Sequence, residues 1–159
     1  MKQRLLLIRL IPLLFLGACT EPAPPAIKPL DYTVAKSVAD VIANDLVQDD
    51  IPDLFKHMDV GFQMIVKNEK DVKEVLKKMY AESGPPVECV YKISEAGIRK
   101  DGIWERPSRT FWYSVRTKKH EKGKYFLKVE IVPAFSGHPL DTSGFGILSF
   151  KDKVPDYLQ

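Results

Sequence analysis

Residues 68–94 read NEKDVKEVLKKMYAESGPPVECVYKIS, and the hydrophobic period changes inside them. Val72, Val75, Leu76, Met79 and Tyr80 recur at i, i+3, i+4, i+7 and i+8, which places them on one face of a helix. Asn68 suits the N-cap, because its short side chain can accept from first-turn amides. Glu69 and Asp71 complement the positive end of the helix dipole. Lys70, Lys73 and Lys77 lie away from the apolar face. Gly84 is expected just past the helix end, and Pro85-Pro86 stop the helix. Beyond the prolines the period drops to two. Val87, Cys89, Tyr91 and Ile93 then share one face of a strand that runs to Ser94. The chain is therefore divided at this point, with helices before it and strands after it.

Toward the N-terminus, Asp31 or Thr33 can cap a helix over roughly 33–47. Its expected apolar face is Val34, Val38, Val41, Ile42 and Leu46, with Ala35, Ala39 and Ala43 allowing close approach beside it. Asp49-Asp50 interrupt, and Pro52 suits the first turn of a short helix through about Met58. Residues 62–66 fit either a helix or a turn. Toward the C-terminus, Gly97 and Asp101-Gly102 punctuate the chain, with a short strand near 102–105. A strand over 109–119 puts Phe111, Tyr113 and Val115 on one face. Glu121-Lys122-Gly123 turn the chain. The return strand, 124–135, puts Tyr125, Leu127, Val129 and Ile131 on one face. Residues 136–144 form a loop before a last strand over 145–151.

Helices followed by consecutive antiparallel strands imply an α+β domain. The expected architecture is N-terminal helices packed on one face of a curved antiparallel sheet of about four strands. This element order, over about residues 31–151, resembles the nuclear transport factor 2-like, or cystatin-like, cone fold, a pattern found in many small bacterial lipoproteins. The resemblance implies a cone between helices and sheet, where enzymes of that fold place acid/base residues. It carries no catalytic residue over to this chain.

The chain has 159 residues, 45% apolar and 28% charged, which suits one globular domain and excludes a disordered chain. The formal net charge of +3 is local. Without Lys2, Arg4 and Arg9 the 24 basic residues become 21, equal to the 21 acidic ones. Behind those three lies an apolar run from Leu10 to Leu16, broken by Pro12 and far short of the roughly 20 residues a membrane span needs. A basic start, a short apolar middle and small residues at the close make residues 1–18 a signal peptide. Leu16-Gly17-Ala18-Cys19 resembles a bacterial lipobox. The resemblance implies cleavage before Cys19, two acyl chains (palmitate-like) on its thiol and a third on its new amine. Thr20, where inner-membrane lipoproteins often carry Asp, favours the outer membrane, facing the periplasm. Residues 20–30 hold four of the twelve prolines. They favour an extended polyproline tether, and at about 3.1 Å per residue they reach about 34 Å. The expected division is 1–18 signal peptide, 19–30 lipidated cysteine and tether, and 31–159 a single α+β domain.

Cys89 lies among apolar neighbours on a strand face and is expected to be a small buried hydrophobe rather than a reactive thiol. Asp53 and His57 share a helix face, but a metal needs a third ligand, and Asp49 lies at or before the helix start. Neither a metal nor a cofactor is expected. His138, among Ser136, Asp141 and Ser143, belongs to a segment too short for the relayed geometry of a catalytic triad. His120 is expected in solvent beside a hairpin tip. Lys118, Lys119, Lys122 and Lys124 form a basic patch that suits either edge protection or anionic envelope surfaces. Charge balance and export exclude a nucleic-acid partner. Trp112 and Phe126 are expected on the outer sheet face, half-buried under lysines or open to a second copy or an envelope partner. Phe55, Phe62, Tyr80, Tyr113 and Tyr125 could line an apolar pocket within the cone. Two functions follow. The first is a membrane-anchored, non-enzymatic binding or assembly module. The alternative is a small-ligand binding protein or enzyme that uses the cone.

Overall fold

A computed structural model describes residues 30–102, 104–120, 125–133 and 144–151. The expected signal peptide, the lipobox residues Leu16, Gly17, Ala18 and Cys19, and residues 20–29 of the expected tether lie outside these residues, as do Lys122, Lys124 and His138. Helix α1 spans Tyr32–Gln48, capped by Asp31, whose side chain accepts from the Val34 amide. Helices α2 (Ile51–Lys56), α3 (Val60–Gln63) and α4 (Glu69–Met79) follow. The α4 cap is the one its sequence predicts, with the Asn68 side chain accepting from the Lys70 and Asp71 amides at 3.0 and 3.1 Å. The helix ends earlier than Gly84 suggests. Tyr80 is its C-cap, and Gly84, at φ 75°, closes one further turn by donating to the Tyr80 carbonyl.

The buried face of α1 is rotated from the expected one. Ala35, Ala39, Ile42, Ala43 and Leu46 face the core, whereas Val34 and Val41 are exposed. Alanines let the helix backbone seat closely on a sheet, and that packing outweighs the larger transfer energy of the valines. On α4, Val72 and Leu76 are buried, while Val75 is turned outward.

Strand β1 spans Pro86–Asp101 and β2 spans Trp104–Thr117, so Gly97 does not end a strand as its sequence suggests. It lies opposite Ser108, whose Oγ would stand 3.3 Å from any added Cβ. The hairpin turns at Gly102 (φ 66°), and no separate short strand exists there. Strand β3 (Tyr125–Val132) pairs with β2, and β4 (Gly144–Lys151) pairs with β3. The sheet is open and antiparallel, in the order β1-β2-β3-β4. Helix α1 lies against β1, β2 and β3, so the class is α+β with helices on one side of the sheet.

Two register shifts mark β1, between Pro86 and Glu88 and between Tyr91 and Ile93. The second moves Ile93 off the face of Cys89 and Tyr91, because it pairs with Trp112 while Tyr91 pairs with Tyr113. An extra residue in a strand exchanges its faces, so simple alternation fails beyond Tyr91. On the helix side, Phe111, Tyr113, Val115, Leu127, Val129 and Ile131 are essentially inaccessible and join the helices in one core. A buried ion pair links the two halves. Arg106 donates to both Asp59 oxygens at 3.0 and 3.1 Å and to the Pro133 carbonyl at 3.1 Å.

Candidate functional site

Two places gather polar groups that the core does not need. The first is a groove of about 360 Å³ between α1 and the start of β1, lined by Asp40, Asn44, Val47, Val87, Glu88 and Tyr113 among others. The Tyr113 hydroxyl donates to Asp40 Oδ1 at 2.8 Å. Lys36 donates to both Asp40 oxygens at 2.6 Å, and its ammonium lies 4.4 Å from the Tyr91 ring centre. Burial, then the hydrogen bond to Asp40, push the Tyr113 hydroxyl far above its ordinary range. Cys89 also lines this groove. Its half-buried thiol is pushed up to about 12, first by burial and then by the Glu88 charge. A thiol held in that form is not a nucleophile at neutral pH.

Of the five aromatic residues expected to line a pocket, only Tyr113 lines this groove. Phe55, Phe62, Tyr80 and Tyr125 pack against the filled core instead. Trp112 does lie on the face opposite Phe111 and Tyr113, but it is 3% exposed, and Lys128 stands 5.9 Å from its ring centre. It presents no open docking face, and its indole N–H has no hydrogen-bond partner among the described residues. Phe126 is half-buried. The basic patch is also less free than expected. Lys118 is exposed, but Lys119 lays its stem over Gly84 and donates to the Ala81 carbonyl at 3.3 Å. His120 is half-buried, edge-on to the Tyr125 ring at 5.3 Å, rather than in open solvent.

The second place is the corner between α1 and α2. Asp49 closes α1 in the left-handed region (φ 58°), which short polar side chains tolerate. Asp50 then caps α2 by accepting from the Asp53 amide. This tight corner folds α2 back along the last turn of α1. Asp53 and His57, one turn apart on α2, thereby meet Asp45 rather than Asp49. His57 Nδ1 lies 3.8 Å from Asp45 Oδ2, 3.8 Å from Asp53 Oδ2 and 2.9 Å from the Asp53 carbonyl. Donor atoms of all three side chains fall within 4.8 Å of one another. The signal for Asp45 was present in the sequence, since it follows Ile42 by three residues on the buried face of α1. A carboxylate on a core-facing stripe costs free energy unless something compensates it.

Asp45 is 4% exposed, and its Oδ2 accepts no hydrogen bond. Burial, and after it the neighbouring Asp53 charge, push its carboxyl up to about 6, with His57 and Lys56 opposing and Asp50 reinforcing the shift. The folded state therefore holds this proton more tightly than the unfolded chain does. Stability from this group is fully present below the unfolded value of 3.8 and falls as pH rises to about 6. In metal-free buffer, Asp45→Asn is expected to match the parent near pH 4. At pH 7 it is expected to exceed the parent by on the order of 2 kcal/mol. Urea unfolding at the two pH values measures this, and an equal difference at both would contradict it.

Among the described residues no helix is long and apolar enough to cross a membrane. No family model, curated protein or solved structure matches this chain.

Proposed function

We propose that the chain is a lipid-anchored protein of the bacterial cell envelope. On this reading it is held by acylated Cys19, faces the periplasm from the outer membrane, and carries a non-enzymatic binding or assembly domain. The observation that carries the reading is the order of segments. Leu16-Gly17-Ala18-Cys19 is followed by eleven proline-rich residues, and Leu30, which directly follows Pro29, is buried. Asp31 then caps α1 at once. A short apolar segment, a lone cysteine, a stiff spacer and a folded body are what an anchor with reach requires.

We infer further that the domain is a cone related to the nuclear transport factor 2-like fold. Support comes from α1 lying across β1, β2 and β3 and from the register shifts in β1, since an extra residue bends a strand. Large side chains such as Phe111 and Tyr113 fill the space between helices and sheet. A filled interior favours a module that works through its surface. The groove beside Tyr113, with Asp40, Asn44 and Glu88 at its edges, is the surface that suits a partner in the envelope. One observation favours a second reading, a small-ligand binder: the groove's volume lies within the range of small-molecule sites.

In-cell photo-crosslinking separates the two. A crosslinking residue at Asn44 or Glu88 is expected to trap one discrete envelope protein, or a second copy of the chain. The same residue at Glu74, on α4, should not. Equal adducts from all three positions would contradict the module reading. A small molecule retained in native mass spectrometry and lost on Tyr113→Ala would move the assignment to the second reading.

A further inference from the structure

We propose that Asp45, Asp53 and His57 form a binding site for a divalent transition-metal ion of the zinc class. The proposal goes beyond the anchor reading and does not depend on it. The three side chains offer two carboxylate oxygens and one imidazole nitrogen, with all donor atoms within 4.8 Å of one another. A tetrahedral zinc with bonds of about 2.0–2.1 Å separates its donors by about 3.3 Å. The two 3.8 Å separations around His57 Nδ1 need to close by about half an ångström, and the widest separation in the set, at most 4.8 Å, by up to about 1.5 Å, to meet that geometry.

The second, independent observation is Asp45 itself. Its side chain is 6% exposed, and the Oδ2 that lies toward His57 is buried with no hydrogen-bond partner. A buried carboxylate oxygen without a donor is normally avoided. An ion would supply the missing positive partner. Asp53 and His57 keep exposures of 37% and 29%, so ions can enter and water can complete the coordination. The ligand set selects against calcium and magnesium. Those ions take oxygen shells of six or more, and imidazole is a poor ligand for both.

His57 Nδ1 lies 2.9 Å from the Asp53 carbonyl, so in the metal-free protein that nitrogen holds the proton and donates to the carbonyl. Binding through Nδ1 gives up that hydrogen bond, and the ring's single proton moves to Nε2, the other tautomer of the neutral imidazole.

The test is titration of untagged, metal-stripped full-length protein in detergent with zinc chloride, against a chromophoric chelator. One zinc per chain is expected. Calcium or magnesium chloride at the same concentration should leave the thermal midpoint unchanged, while zinc raises it. Loss of an outer-shell partner typically costs 10–100-fold in metal affinity, so His57→Ala and Asp45→Asn, each removing a direct ligand, should lose at least about tenfold. Glu74→Gln should lose nothing. Nitrogen-15 shifts of His57 should report a ligated imidazole, a readout that altered packing would not reproduce. Stoichiometry below one, or zinc binding unchanged in both His57→Ala and Asp45→Asn, would overturn the site. An imidazolium signal for His57 that zinc does not displace would do the same.

Discussion

Asp59→Ala is expected to destabilise the folded domain by about 3–5 kcal/mol, the usual cost of removing one partner from a buried ion pair. Arg106 meets both oxygens of Asp59, and the two side chains are only 9% and 4% exposed. The pair joins the α2–α3 junction to β2, and the third contact, to the Pro133 carbonyl, extends it to the end of β3. Asp59 also receives the Phe62 and Gln63 amides on its backbone carbonyl, so its position starts α3. Without the carboxylate, the guanidinium loses both of its hydrogen bonds to Asp59 while it stays almost fully buried. Desolvation rather than lost attraction then sets the penalty. The double variant Asp59→Leu/Arg106→Met should therefore recover much of the loss, since an apolar pair of similar volume needs no compensation. Exposed pairs such as Lys56–Asp53 should contribute less than about 1 kcal/mol each. Urea unfolding of the two variants measures the loss and its recovery. A loss below about 1 kcal/mol for Asp59→Ala would show that the pair is not the clamp described.

Local signals in the sequence carried a long way. The Asn68 cap, the Asp31 cap and the change of period at Pro86 all depend on residues within four positions of one another. Such contacts form whatever the rest of the chain does. Helix faces were less legible. Both the valine and the alanine stripes of α1 have helical spacing, and only the sheet beneath decides that Ala35 and Ala39 face inward. Strand faces were legible up to Tyr91. The shift before Ile93 is set by pairing with β2 and leaves no local mark. The burial of Trp112 escaped for a similar reason, because alternation shows which face a residue takes but not what covers it. Asp59 and Arg106 lie 47 positions apart, and no spacing rule joins them. The corner site was half legible. The i, i+4 relation of Asp53 and His57 was plain, whereas their meeting with Asp45 depends on the left-handed residue Asp49, which folds α2 back on α1.

Cys19→Ser is expected to abolish acylation and, with it, stable attachment to the membrane. No described helix is long and apolar enough to span a bilayer. Basic and acidic residues balance once Lys2, Arg4 and Arg9 are removed, so electrostatic attraction to anionic lipid is weak. Each buried methylene contributes about 0.8 kcal/mol, so a single acyl chain gives only marginal binding and two or more give firm anchoring. A triacylated Cys19 would therefore resist high salt and alkaline washing, which strip proteins bound by charge. The serine variant cannot form a thioether and should take up no labelled palmitate. The domain built on α1 and the sheet should unfold at the same urea concentration as the parent.

The most direct measurement is the mass of the N-terminal peptide from protein extracted from membranes. The expected peptide begins at Cys19 and carries three acyl chains, two on the thiol side and one on the amine. A peptide that begins at another residue, or an unmodified Cys19, would contradict it.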